Sequence, residues 1–169
     1  ANSAYQKMLP LDTGLMLRLL NLSLGNTSEL TTHILTASAA DLANKGPMAE
    51  LIVGLEMLHH MTPNMRHELF YWTRQAKNAQ AEIDYISNHL QTIVPIEVKA
   101  DRQGGMKSLW AFMRNKKLHH AIRCSLENFG QFSYTDKEDN LEMRHVSICP
   151  IYAIAQMEQI KNEHKPTPF

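Results

Sequence analysis

Two Glu-x-x-His pairs are the first residues whose spacing could do chemistry: Glu56-Met57-Leu58-His59 and Glu142-Met143-Arg144-His145. On a helix, positions i and i+3 share a face, so the carboxylate and imidazole can reach one metal pair, as in di-metal carboxylate bundles. A complete site of that kind needs two such pairs and a lone Glu from each of two further helices. Glu56, His59, Glu142 and His145 are therefore the candidate ligands of a metal-dependent helical enzyme. Two features weigh against it. The second pair follows a polar stretch in a segment that reads as a strand, and Gly46-Pro47 breaks the chain between Glu29 and Glu56. So short a pattern also recurs by chance in a chain with 9 His.

The histidines around the first pair add no ligand set. His59 and His60 are neighbours and point about 100° apart on a helix. Thr62-Pro63 interrupts the chain before His67-Glu68, and Tyr71 stands where a zincin motif would need its second His. A helix end carrying His59 and His60, favourable beside the C-terminal dipole, is the simpler reading. There is no glycine-rich phosphate loop and no Gly-x-Ser-x-Gly elbow. His120 and Cys124 are four apart, which suits a thiolate–imidazole pair on a helix. A buried thiol beside a solvent histidine is the commoner arrangement.

Charge supplies one more candidate. Lys99, Arg102, Lys107, Arg114, Lys116, Lys117 and Arg123 face only Asp101, and Glu127, Asp136, Glu138, Asp139 and Glu142 follow. A basic patch with an apolar anchor can dock an acidic protein segment. The residues assigned to that surface are Trp110, Met113, Arg114, Lys116, Lys117, His120 and Arg123, with Leu69 and Trp72 from the preceding segment. A nucleic-acid-contacting regulator using residues 99–123 is a further alternative. A formal net charge of zero, 17 basic against 17 acidic residues, argues against it.

The elements that must position these residues read as helices. Asp12 and Thr13 can cap a helix to about Leu24, and Ser28 one to about Asn44. Pro47 opens a third, running to about residue 61. Thr62-Pro63 opens a fourth, in which Met65, Leu69, Trp72, Ala76, Ala79, Ile83, Ile86, Leu90 and Ile93 recur in steps of 4 and 3. That spacing predicts one unbroken rod over about 63–94, roughly 45 Å long. Ile96, Val98 and Ala100 alternate with Glu97, Lys99 and Asp101, a short strand that residues 141–148 can pair with. Helix returns from Met106 and again in Leu118, Ile122, Ser125 and Phe129, as one kinked helix or two ended by Gly130. Residues 130–140 read as a polar loop, and Pro150 opens a last helix before an extended C-terminal tail. The expected fold is mostly α: one domain over 1–169, an irregular bundle of about six helices, with that small two-stranded element.

Bulk properties fit a soluble globular chain, with 44% hydrophobic and 20% charged residues. Cys124 and Cys149, the only cysteines, lack CxxC spacing and suit a reducing compartment, and no apolar run is long enough to span a bilayer. The expectation is a cytoplasmic, non-enzymatic interaction module: an adaptor, chaperone or scaffold subunit, of which a bacterial secretion adaptor is one instance. It would need no cofactor and would bind a helical segment of another protein in an apolar groove with a basic rim. Ten methionines would supply adaptable surface.

Overall fold

The computed structural model describes residues 6–19, 45–61, 64, 68–76, 79–89, 92–100 and 105–156. It is built on a sheet, not a bundle. Helices α1 (Thr13–Leu19) and α2 (Lys45–His59) precede strands β1 (Phe70–Ala76), β2 (Ala79–His89) and β3 (Thr92–Lys99). Helix α3 (Lys107–Lys116) leads to β4 (His120–Ser125), β5 (Gly130–Asp136), β6 (Glu142–Pro150) and a 3-10 turn over Ile151–Gln156. The six strands lie in the order β1-β2-β3-β4-β6-β5. β1–β2, β2–β3 and β5–β6 are antiparallel, whereas β3–β4 and β4–β6 are parallel. The β3–β4 pair is joined through α3, the crossover that parallel neighbours require.

The mostly helical expectation is therefore corrected, and with it the bundle of about six helices. The rod expected over 63–94 is a hairpin, β1 with β2, followed by the start of β3. Steps of 4 and 3 mark a helical seam only if the intervening residues tolerate a helix. Here Phe70-Tyr71-Trp72-Thr73 and Ile83 to Ile86 are rich in aromatic and β-branched side chains, which favour strands. The register Ala76↔Ala79 closes the hairpin where the rod would have had its narrow waist. Met65 and Leu90 of the proposed seam lie outside the described residues, as do Arg102, His67, the helix expected over 28–44 and the tail.

Pro95 does not end an element but sits inside β3, opposite Ile86. Pairing with β4 starts only at Ile96, so the proline lies where β3 has one neighbour and loses little. The strands expected at 95–100 and 141–148 both form, yet they are not partners: β4, read as helix, runs between them. The polar loop expected at 130–140 is largely β5. α1, as far as it is described, and α2 fall where helices are expected; of the helical stretch expected from Met106 to Gly130 only α3 forms, and the rest includes strand β4. α3 ends at Lys117, whose left-handed backbone (φ 54°) lets the Leu118 N–H reach the Met113 carbonyl at 2.8 Å.

The sheet is covered on both faces. Ala49, Val53 and Met57 of α2, with Ile151, Ala153 and Ile154, pack on Tyr85, Val94, Ile96, Val98, Ile122, Cys124 and Cys149. Leu109, Phe112 and Met113 of α3 pack on Ile83, Ala121 and Val146. α2 comes close to β2 at Gly54, where a Cβ would stand 2.5 Å from the Tyr85 hydroxyl. Among the described residues, no helix is long and apolar enough to cross a membrane.

Candidate functional site

The chemistry gathers where β2 and β3 part. Their ladder ends at Tyr85↔Ile96, so the Val98 N–H beyond it has no strand partner there and donates to Asp84 Oδ2 at 2.8 Å. β2 is irregular at this point: its register with β1 slips between Phe70↔Ile86 and Trp72↔Ile83. Ile83 and Ile86 both pack on the α3 side while Tyr85 packs on the α2 side. A bulge re-aims side chains in this way, and bulges favour the neighbourhood of active sites. On β3, Ile96 and Val98 enter the core under α2, so the alternation of the strand turns Glu97 and Lys99 to the other face.

Four carboxylates and two ammonium groups meet in this region. Lys99 Nζ is 2.6 Å from Glu97 Oε1. Lys7 Nζ is 2.6 Å from Glu50 Oε2 on α2, 3.0 Å from Glu82 Oε1 and 4.0 Å from Asp84 Oδ1. The Tyr85 hydroxyl donates to the Glu50 carbonyl at 2.8 Å and ties α2 to β2 beside the cluster. Asp84 and Glu97 are buried, at 8% and 4% exposure. Glu97 Oε2 is fully buried and has no hydrogen-bond partner. Burying an ionised oxygen without a partner is costly, and such an atom asks for a ligand.

The electrostatics agree. Burial, then the charge of Glu97, pushes the Asp84 carboxyl up to about 7. Burial likewise raises Glu97 against the pull of Lys99, with Glu50 and Glu82 adding to the rise. Lys7 is raised too: burial opposes its charge, but Glu50 and Glu82 outweigh it and hold the ammonium firmly protonated. With all groups ionised, Glu50, Glu82, Asp84 and Glu97 against Lys7 and Lys99 leave two negative charges in excess. Carboxylate oxygens without imidazole or thiolate are a hard ligand set, suited to Mg²⁺ or Mn²⁺. Among the described residues no three His, Cys, Asp or Glu are arranged to hold a metal ion by themselves. A magnesium site does not need that, because Mg²⁺ usually takes one or two carboxylates and completes its shell with water and substrate phosphate.

The metal ligands expected from the sequence do not form one site. Glu56 lies 3.9 Å from His60, the residue after α2, and His59 is exposed at the end of α2. Glu142 and His145 stand on β6, where Glu142 pairs with His119 at 3.2 Å and His145 with Ser133 at 3.0 Å. On a strand, positions three apart point to opposite faces, so the second pair has lost the geometry that suggested it.

The expected docking residues are dispersed. Met113 is fully buried, and Trp72 packs edge-on against Phe112 in the same α3-side core. Trp110 stacks on Tyr134 at 4.3 Å. Arg114 pairs with Asp136 and Glu138, and Arg123 is buried with Glu127 nearby at 3.6 Å. Leu69 packs on the α2-side core, and His120 meets Ser147 at 3.4 Å. Only Lys116 and Lys117 stand out into solvent. Cys124 and His120 lie on β4 rather than a helix, and Cys124 pairs in register with Cys149, both as buried free thiols.

Glu50, Asp84 and Glu97 were not singled out by sequence reasoning, and Lys99 only as the first residue of the basic run over 99–123. The available signal was the alternation Ile96-Glu97-Val98-Lys99, a carboxylate and an ammonium on one strand face with apolar residues on the other. Asp84 between Ile83 and Tyr85 was hidden by the helical reading.

Comparison with known families matches residues 45–154 to a family described as a domain of unknown function, DUF4143. The match covers α2 through the 3-10 turn and so includes Glu50, Asp84, Glu97 and Lys99. No curated protein and no solved structure matches the chain. Nothing in these comparisons supports an adaptor or chaperone role, and the family description speaks neither for an enzyme nor against one.

Proposed function

The chain belongs to the DUF4143 family, and from the charged cluster at the β2–β3 fork we propose that it is a divalent-cation-dependent phosphodiesterase. The observation that carries the reading is Glu97: a buried carboxylate with an orphaned oxygen, which pairs with Lys99 and whose own charge helps to raise the Asp84 carboxyl. Asp84 and Glu97 would hold the cation, with Glu50 on α2 as the nearby helix carboxylate. When bound, it would supply Lewis acidity at the phosphate oxygens. The Lys99 ammonium offsets charge on the phosphate oxygens, a role to which lysine is suited. Asp84 is fixed by the Val98 N–H, so it is oriented before any ligand arrives.

In the reaction a water oxygen joins phosphorus and the ester P–O bond breaks. Its electron pair goes to the leaving oxygen, which takes up a proton, and the proton lost by the water passes to solvent. A phosphodiester is the substrate proposed, with water rather than a protein side chain as the nucleophile. A hard cation beside a lysine is matched to anionic oxygen.

The test is cleavage of labelled DNA and RNA oligonucleotides and of bis(p-nitrophenyl) phosphate in Mg²⁺ or Mn²⁺. Cation-dependent cleavage that disappears in Glu97→Gln and in Asp84→Asn is the expected result. Absence of cleavage of every substrate, together with no saturable Mn²⁺ binding to the wild-type chain, overturns the reading. A protein-docking module is the weaker proposal. It has lost the long helix it was built on, and its remaining support is the exposed Lys116 and Lys117 at the end of the helix that carries Trp110.

A further inference from the structure

Lys7 has no part in the chemistry just described, yet it is seated in the acidic cluster. Its chain segment precedes α1 and lies against α2: the Leu9 side chain faces Gly54, 3.2 Å from where a Cβ would be. From there Lys7 reaches Glu50 on α2 and both Glu82 and Asp84 on β2. One side chain thus contacts three of the four carboxylates, and Glu97, which already holds Lys99, is the one it leaves. A surface lysine gains little from an exposed carboxylate, but this ammonium is two-thirds covered and has two partners within 3.0 Å. An ammonium among carboxylates is the closest side-chain equivalent of a bound cation.

We infer that Lys7 is a tethered competitor of the divalent cation: seated, it neutralises Glu50, Glu82 and Asp84, and withdrawn, it leaves Asp84, beside Glu97, to the metal. The inference rests on the cation-site reading above and adds its regulation. The site would be opened by whatever pulls the segment around Lys7 and Leu9 away from α2, and closed when it returns. Of the groups facing Lys7, Glu50 comes from α2, and Glu82, Asp84 and Tyr85 from β2. No second ammonium faces the Glu50–Glu82 side among the described contacts, so Lys7 alone sets the balance there.

The experiment is Mn²⁺ binding, followed by the electron paramagnetic resonance of free Mn²⁺, to the full chain and to Lys7→Met, Lys7→Arg and Glu97→Gln. Lys7→Met keeps the apolar stem and removes the charge. It should bind Mn²⁺ about tenfold more tightly than wild type, the effect expected of one unit charge removed near the site. Lys7→Arg should stay near wild type, and Lys7→Met combined with Glu97→Gln should lose the gain. Equal or weaker binding by Lys7→Met, with saturable binding by wild type, overturns the role of Lys7 and leaves the cation site standing. No saturable binding by wild type or by Lys7→Met overturns both. Melting curves of each variant verify that the comparison is made between folded chains.

Discussion

Two buried charged clusters sit on the same sheet and are built on opposite principles. At the β5–β6 hairpin, Asp136 and Arg144 are both fully buried, and every polar atom of the pair has work. The Arg144 Nε donates to Asp136 Oδ2 at 3.2 Å, and its two terminal nitrogens donate to the Leu118 carbonyl and to Asp139. Asp136 Oδ2 also accepts from Arg114 Nε at 3.2 Å, and its Oδ1 from the Glu138 N–H at 3.1 Å. Burial alone would raise Asp136, but these donors hold it below the usual carboxylate range. At the β2–β3 fork the same burial wins: Asp84 and Glu97 are raised, and one oxygen of Glu97 has no partner. A satisfied cluster locks a fold, whereas an unsatisfied one stores cost for a ligand to relieve. The first fixes a hairpin, and the second marks a site.

The comparison can be broken most directly by removing one member of each cluster. Arg144→Met should cost about 3–5 kcal/mol, because it leaves Asp136 charged, buried and without its fully buried guanidinium partner. Glu97→Gln, equally buried, should leave stability unchanged or raise it while abolishing Mn²⁺ binding. Urea denaturation of the two variants reads both effects. If Glu97→Gln proves as damaging as Arg144→Met, the two clusters are of one kind and the functional reading fails.

The two clusters also predict opposite responses to pH. A lowered carboxyl such as Asp136 contributes stability at neutral pH, which is lost as pH falls below its ordinary value of 3.8. A raised one does the reverse. Asp84 favours the folded chain below 3.8, where it is protonated in both states, and that contribution is lost as pH rises towards about 7. Asp84→Asn should therefore flatten the fall in melting temperature between about pH 4 and pH 7 and leave the acid limb in place. A wild-type curve that rises across that window overturns the assignment of Asp84 as a raised carboxyl.

Smaller effects sharpen the contrast. Arg114 is the outer partner of Asp136 and is partly exposed, so Arg114→Ala should cost only about 1 kcal/mol, with Arg144 still in place. The exposed His119–Glu142 pair belongs to neither cluster, and Glu142→Gln should change stability by no more than about 0.5 kcal/mol at neutral pH. A larger loss in Glu142→Gln would mean that the second Glu-x-x-His pair has a role beyond the surface.

Part of this was legible before any coordinates. α2 was readable because Pro47 opens an apolar stretch, and α3 because Leu109, Trp110 and Met113 keep a helical period after Gly104-Gly105. The alternation at residues 96–100 marked β3 and put Glu97 and Lys99 on one face. The hairpin was misread because its apolar residues also fit a period of 3.5. On β2 the bulge between Ile83 and Ile86 breaks the alternation that would have marked a strand. β4 was misread because Leu118, Ile122, Ser125 and Phe129 keep a helical spacing, and a strand buried on both faces shows no alternation.

The sequence by itself determined the local material: which residues carry charge, where Gly and Pro interrupt the chain, and that Glu97 and Lys99 flank an inward Val98. Only the tertiary structure decided that Lys7, Glu50, Asp84 and Glu97, scattered over 91 positions of the chain, would meet at one fork. Contacts between residues so far apart are set by strand order and by the face each helix covers, and no local pattern encodes either.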